Sequence, residues 1–521
     1  MQQAFADISA TARRAAQRND WTTVGRCARQ LIERDPQGPE GHFLAGLAEK
    51  AARRPQQAAD CFARALALDP NRYDAAIELA SRHSVTERHA EAFALLQRHE
   101  SALGNSPRYL DMAGLAWSAI GLHERAWPLH RRANELQPGV PRFLANLAAC
   151  AVYLGRIDEA EAIYRQLLAR EPSHQRNHYQ LARLRTAHDD AHVLQMQAVL
   201  HATRLPPARN IFLYYAIGKE LEDLGRWDEA FGYYRMAGDA ATSVSSYDVA
   251  SDIALIDAVI DTCSAAWIAA PPAQPAAATT PIFIVGLPRT GTTLTERILA
   301  SHSQVESIGE TLQFPATLRR VSGIGTAHAV TPEIIAAAAR QDPGLIASGY
   351  LEAIRYRLGG KPMFIEKFPE NFLYLGFIAR AWPEARLVHL GRHPMDTCFA
   401  MYKQSYFRYA YSLETVGRYY VAHDRLLRHW RATLGERLVE LRYESLVADQ
   451  ERETRALLAR LGLSFEPACL EFEKNAAASA TASAVQVREK MHDRSVNRWR
   501  HFERHLQPLR RILDDARIPM D

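Results

Sequence analysis

A 34-residue beat governs the first half of this chain and limits what it can fold into. Pro36, Pro70, Pro138 and Pro172 fall on one phase, with Gly104 at the skipped position. Small residues keep the same beat. Gly46, Ala80, Gly114 and Ala148 form one set; Ala58, Ala92, Ala126 and Ala160 form another. The pattern has a steric meaning. Small side chains let one helix close on the next, and a proline after the second helix stops it from continuing. A period of this length is one helix pair, which buries its apolar face only by stacking on its neighbours.

A phrase also repeats. LGRIDEAEAIYRQLL at 154–168 returns as LGRWDEAFGYYRMAG at 224–238, two periods and a small insertion later. Between them Tyr179, Leu181 and Ala182 fit the first helix of a degenerate unit. This is the tetratricopeptide pattern. Six or seven units are expected between residue 5 and about residue 240, stacked as an all-α solenoid whose groove takes a peptide or another protein.

Composition then shifts. AAWIAAPPAQPAAATTP, 265–281, lacks charge and periodicity and reads as a linker or a covering strap. Beyond it, short apolar runs at 282–285, 363–365, 387–390 and 438–441 read as strands, each followed by a helical pattern. The predicted organisation is a repeat solenoid over 1–240, a connecting helix and Ala/Pro-rich linker over 241–280, and an α/β domain with a parallel central sheet over 281–521.

The chain is 521 residues long, enough for several cores, and its hydrophobic content of 47% rules out wholesale disorder. A net charge of +4 gives no argument for a nucleic-acid partner. The six cysteines are scattered without zinc or redox spacing, so reduced thiols and a cytoplasmic location are expected. The N-terminus has no signal-peptide apolar core, and no apolar run reaches the ~18 residues of a membrane helix, so no membrane segment is expected.

The second constraint is PIFIVGLPRTGTTLTERIL, 281–299. An apolar strand enters a loop with Gly286 and Gly291 at P-loop spacing, and a helix pattern follows. Glycines let successive amides turn inward on an anion, and the helix adds its positive end. Thr292 and Thr293 stand where a nucleotidase would carry Lys-Ser/Thr. Without that lysine, P-loop nucleotidase chemistry loses its main side-chain charge. The loop still suits one terminal anionic group, with Arg289 as a cation inside it.

PRTGTTLTERILASHSQV resembles the 5′-phosphosulfate motif of sulfotransferases, which use 3′-phosphoadenosine 5′-phosphosulfate (PAPS). The resemblance is to tyrosylprotein sulfotransferases and to bacterial proteins that join tetratricopeptide repeats to a sulfotransferase domain. It implies that Pro288, Arg289, Thr290, Gly291, Thr292 and Thr293 bind the 5′ end of the donor. RLVHLGRHPMDTCFAMY is similar to the family's 3′-phosphate motif, with Arg392 at a strand's carboxyl end. Two departures stand here: Ala400 replaces the usual serine, and Gln404 an often basic position. A missing hydroxyl contact costs on the order of 1 kcal/mol.

ESIGETLQF resembles the segment that carries the family's catalytic acid, which makes Glu310 the expected general base. MFIEKFPENF resembles the family segment with a lysine just after a strand, which implies Lys367 at the departing bridging oxygen, with Arg289 sharing that task. SAVQVREKMHDRSVNRWRHF is similar to the nucleotide segment, implying Ser483 and Arg498 as donor contacts, and RYESLV implies Tyr443. His302 follows the loop helix directly and reads as a structural turn residue. No metal is expected.

The leading expectation is a PAPS-dependent sulfotransferase acting on a protein or peptide tyrosine delivered by the repeat groove. A carbohydrate or small-molecule hydroxyl stays open as acceptor. So does a repeat scaffold with an inactive sulfotransferase-like domain; a P-loop kinase is disfavoured by the missing lysine.

Overall fold

A computed structural model describes residues 2–270, 279–325, 329–481 and 483–520; the centre of the Ala/Pro-rich linker, 271–278, lies outside the described residues. The repeat beat becomes helix pairs. First helices begin at Pro39, Tyr73, Pro107, Pro141 and Gln175, and their partners at Pro55, His89, His123, Ile157 and Ala191, each set keeping the 34-residue step. The next pair, Ile211–Asp223 and Trp227–Ser243, arrives late, which is the insertion in the repeated phrase. With Gln2–Gln17 and Trp21–Arg34 in front, seven pairs are described. The degenerate unit is real: its first helix, Gln175–Ala182, has only 8 residues.

The periodic small residues act as the steric argument requires. A Cβ on Gly46 would fall 2.5 Å from the Phe62 ring, and one on Gly114 would fall 2.7 Å from His130. Ala92, Ala126 and Ala160 are wholly buried. Pro36, Pro70, Pro138 and Pro172 stand just past the helix ends at Arg34, Leu68, Leu136 and Arg170.

The chain forms two compact units, 1–150 with 353–356, and 151–352 with 357–521. The later repeats therefore share a body with the sheet. Within that body Phe231 of the helix Trp227–Ser243 stacks on His505 at 4.3 Å and on Tyr402 at 6.1 Å. The stretch between repeats and sheet holds the helices Val249–Thr262 and Ala265–Ala269.

Among the described residues the sheet has five strands: β1 (Thr280–Gly286), β2 (Val305–Ser307), β3 (Met363–Glu366), β4 (Arg386–Gly391) and β5 (Leu438–Arg442). Their order is β2-β3-β1-β4-β5 and every pairing is parallel. All four strands expected from apolar runs are present. The edge strand β2 escaped sequence reading because three residues, VES, carry no pattern. Both faces are covered, as parallel sheets require. Ile282 and Ile284 pack with Ile298, Val388 and Leu441 on one side. Phe283 faces Phe314, Tyr350 and Trp382 on the other, with ring centroids about 6 Å apart.

The order fixes where a ligand can sit. The chain leaves β1 toward β3 and later returns to β4 on the opposite side. The crevice beyond the carboxyl ends of β1 and β4 is thus the topological switch point. Gly286 pairs with Leu390 in the β1–β4 register, so the glycine loop and Arg392 emerge side by side.

Candidate active site

The loop after β1 is built from unusual backbone. Gly286 has φ 145°, and a Cβ there would lie 2.5 Å from the Leu390 carbonyl oxygen. Arg289 has φ 70°, a left-handed conformation that disfavours side chains. Gly291 has φ 102° and immediately precedes the helix Thr292–Ala300. A Cβ on Gly291 would come within 2.8 Å of the Tyr443 ring. Thr290 donates its hydroxyl to the Leu287 carbonyl at 2.7 Å and so closes the turn. The first amides of the helix lack intrahelical acceptors and form a floor that could take an anion.

Two arginines converge on this floor. The Arg289 guanidinium donates to Ser483 Oγ, and to Gln486 Oε1 at 2.7 Å. Both acceptors are neutral. Among the described residues no carboxylate forms an ion pair with Arg289. Burial lowers its pKa, and the charges of Arg392 and Arg183 add to the effect. Arg392 donates to the Arg289 carbonyl at 2.8 Å and to the Ser495 carbonyl at 2.5 Å. Its guanidinium carbon lies 5.0 Å from the centre of the Tyr443 ring, and its Nε is buried without a partner. Asp396 stands at 3.9 Å, beyond hydrogen-bond distance.

Behind the loop lies an acid–lysine set. Lys367, directly after β3, is wholly buried. Its amine bonds to Glu310 and lies 3.6 Å from Glu296. Burial opposes its charge, but the two carboxylates outweigh that and raise its pKa. The Lys367 amide also donates to the Gly309 carbonyl at 3.0 Å, which ties the Glu310 segment to the end of β3.

A cavity of about 260 Å³ opens at this point. Of the predicted residues, Pro288, Arg289, Gly291, Thr292, Thr293, Glu310, Arg392, Tyr443 and Ser483 line it. Thr290 and Lys367 stand behind the lining and bond to residues that form it or flank it. Arg498 is held elsewhere. Its Nε meets Glu222 Oε1 at 2.6 Å, and Lys403 reaches the same carboxylate at 2.7 and 2.9 Å. Burial opposes ionisation of Glu222, but Lys403 and Arg498 overcome it and hold the carboxyl at about 2. His302 accepts the Gln304 amide at 3.1 Å and meets the Ser464 carbonyl at 3.0 Å, the bonding of a turn residue.

Sequence reasoning passed over Phe368, Glu370, Tyr406, Phe407, Lys490 and His492, which also line the cavity. Glu370 could have been found, since KFPE sets it three residues after Lys367. Tyr406 and Phe407 carry no motif; the fold alone brings them in.

Fold and site together define an α/β domain with a P-loop-like glycine loop, joined to helical repeats. Comparison with known proteins narrows the class. Residues 281–467 match the model of the sulfotransferase family, and 141–174 match the tetratricopeptide repeat. An uncharacterized protein of Aquifex aeolicus (strain VF5) is 27% identical over 398 residues, covering 74% of this chain. The chain spans about half that relative's length, 52%. A Caenorhabditis briggsae protein named "Putative protein-tyrosine sulfotransferase" is 24% identical over 248 residues, 45% of this chain and 85% of its own. The sulfotransferase domain of the Synechococcus PCC 7002 olefin synthase is 20% identical, with a TM-score of 0.33, covering 44% of this chain and 90% of that one. Residues 281–467 are thus similar to the sulfotransferase family, and the match to the tetratricopeptide repeat precedes them. No helix among the described residues is long and apolar enough to cross a membrane.

Proposed function

We propose that the protein transfers a sulfonate from PAPS to an acceptor hydroxyl, and that the acceptor is a tyrosine in a protein or peptide. One observation carries the donor half of this reading. Arg289 and Arg392 bring two guanidinium groups to one cavity, Arg289 with no ion-paired carboxylate and Arg392 with a buried Nε unused. A partly desolvated cation left without a counter-charge favours an anionic ligand. His492, with a buried and unpartnered Nδ1 on the same wall, adds a further polar group.

PAPS would supply the activated sulfonate. The chain's own residues do the rest. The 288–293 loop and the helix start hold the 5′ end, while Arg392, Ser483 and Tyr443 hold the remainder of the nucleotide. Glu310 takes the acceptor proton. Lys367, bonded to Glu310 in this structure, turns its charge to the oxygen that departs. Arg498 supports the nucleotide segment from outside the cavity, through Glu222. In this reading 281–521 is the transferase domain, 241–280 connects, and the groove of the repeats in 1–240 receives the acceptor protein. The Caenorhabditis briggsae relative favours tyrosine over a carbohydrate or small-molecule hydroxyl.

The test is direct. Adenosine 3′,5′-bisphosphate should raise the melting temperature and ATP should not, and labelled PAPS should pass its sulfonate to a tyrosine peptide. Arg289→Ala should weaken bisphosphate binding by about 1–3 kcal/mol. A shift with ATP alone would mark a nucleotidase, and no shift with either would leave a scaffold.

A further inference from the structure

One carboxylate on the cavity wall has no partner. Glu370 lies in the short 3₁₀ helix Pro369–Tyr374, three residues after Lys367. Among the described residues it makes no hydrogen bond and no ion pair. Burial raises its pKa to about 7, and the charges that act on it, Asp252 and Glu310, are both negative. Glu310 differs, because the Lys367 amine bonds to it. Asp252 is likewise engaged, accepting the Tyr247 hydroxyl at 2.5 Å.

The cavity is therefore uneven in charge. Arg289, Arg392 and Lys490 on its lining suit an anionic donor. None of them is among the charges that act on Glu370. Glu370 is half-buried, and a partly desolvated acid is costly when nothing neutralises it, so an incoming positive group would gain there. Phe368 and Phe407 line the same cavity, and aromatic faces attract cations.

We propose that Glu370 selects an acceptor carrying a positive charge close to its reacting hydroxyl: an amine on a small phenol, or a lysine or arginine beside a tyrosine. The inference rests on the reading that acceptor and donor meet in this cavity. It names a specificity-determining residue and a substrate class, and leaves proton removal to Glu310.

Two phenols of similar size separate the outcomes: tyramine, which carries an amine, and 3-(4-hydroxyphenyl)propionate, which carries a carboxylate. Binding of each to the full-length protein is measured by calorimetry, with and without adenosine 3′,5′-bisphosphate. Wild type should favour tyramine by about tenfold or more. Glu370→Gln, nearly isosteric, should erase the preference, and Glu370→Asp should keep part of it. A melting curve confirms that each variant is folded. Equal affinities, a preference for the carboxylate, a preference that survives Glu370→Gln, or no binding of tyramine each overturn the proposal. The donor reading is judged separately. If the bisphosphate gives no melting shift, PAPS use fails, while the two phenols still report on Glu370.

Discussion

Arg289 shows how one residue can carry strain and charge together. Its left-handed backbone costs on the order of 1 kcal/mol, and its half-buried guanidinium bonds, among the described residues, to the neutral oxygens of Ser483 and Gln486. Both features fit a side chain waiting for an anion. In the proposed reaction Glu310 and Lys367 would be the matching acid–base pair. Glu310→Ala should leave bisphosphate affinity intact and lower turnover by about 10²–10⁴-fold in a labelled-PAPS assay; near-normal turnover would remove Glu310 as the base. Glu370 makes a prediction about stability. Its folded pKa, about 7, lies above the ordinary 4.5, so the folded protein holds the proton more tightly than the unfolded chain. The resulting stabilisation is full below the ordinary value and is lost as pH rises toward 7. Glu370→Gln should therefore melt higher than wild type at pH 8, by about 1–2 kcal/mol, and near wild type at pH 5. Equal melting at both pH values would mean that the carboxylate is not destabilised by burial.

The elements that matter most for the cavity come from distant parts of the chain. The segment after Asn475 supplies Ser483 and Gln486 to Arg289, and it is tied down along its length. Arg297 donates to the Asn475 carbonyl at 2.9 Å and to the Ala477 carbonyl at 2.7 Å. The Ser479 amide donates to the Tyr153 carbonyl at 2.9 Å, and Arg488 donates to the same oxygen at 3.1 Å. Tyr153 ends a repeat helix, so a repeat turn holds this segment in place. Gly155 in that turn has φ 74°, and the Arg488 guanidinium fills the space a Cβ would need. Gly155→Ala should cost about 1 kcal/mol of stability from the backbone alone. It should also weaken bisphosphate binding several-fold, measured by titration, although no cavity residue is changed. Unaltered affinity would show that the turn does not position the segment.

For the molecule as a whole, the repeats and the sheet are not separable where the composition shifts. Residues 151–352 and 357–521 form one compact unit. Glu222, on a repeat helix, neutralises Lys403 and Arg498 and accepts the Tyr234 hydroxyl at 2.7 Å. Removing one partner of a buried ion pair costs about 3–5 kcal/mol. Glu222→Gln should lower the melting temperature accordingly. A fragment lacking 1–240 should fail to melt cooperatively, since it also loses Phe231 from the stack on His505. A sharp, wild-type-like melt of that fragment would show that the last repeats are dispensable for folding.

Periodicity determined the repeat half by itself. A 34-residue beat of small residues and prolines has one steric solution, and it set the helix starts from Pro39 to Ala191. Local order determined the glycine loop as well, because strand, glycine, arginine and helix start are contiguous. The rest depended on contacts between distant residues. Ser483 meets Arg289 from 194 positions away, Lys367 meets Glu310 from 57, and Arg498 turns to Glu222 from 276. No local pattern encodes such pairings. They follow from the strand order, which gathers the loops at one edge of the sheet, and from burial, which leaves Arg289 and Glu370 with charges that nothing beside them neutralises.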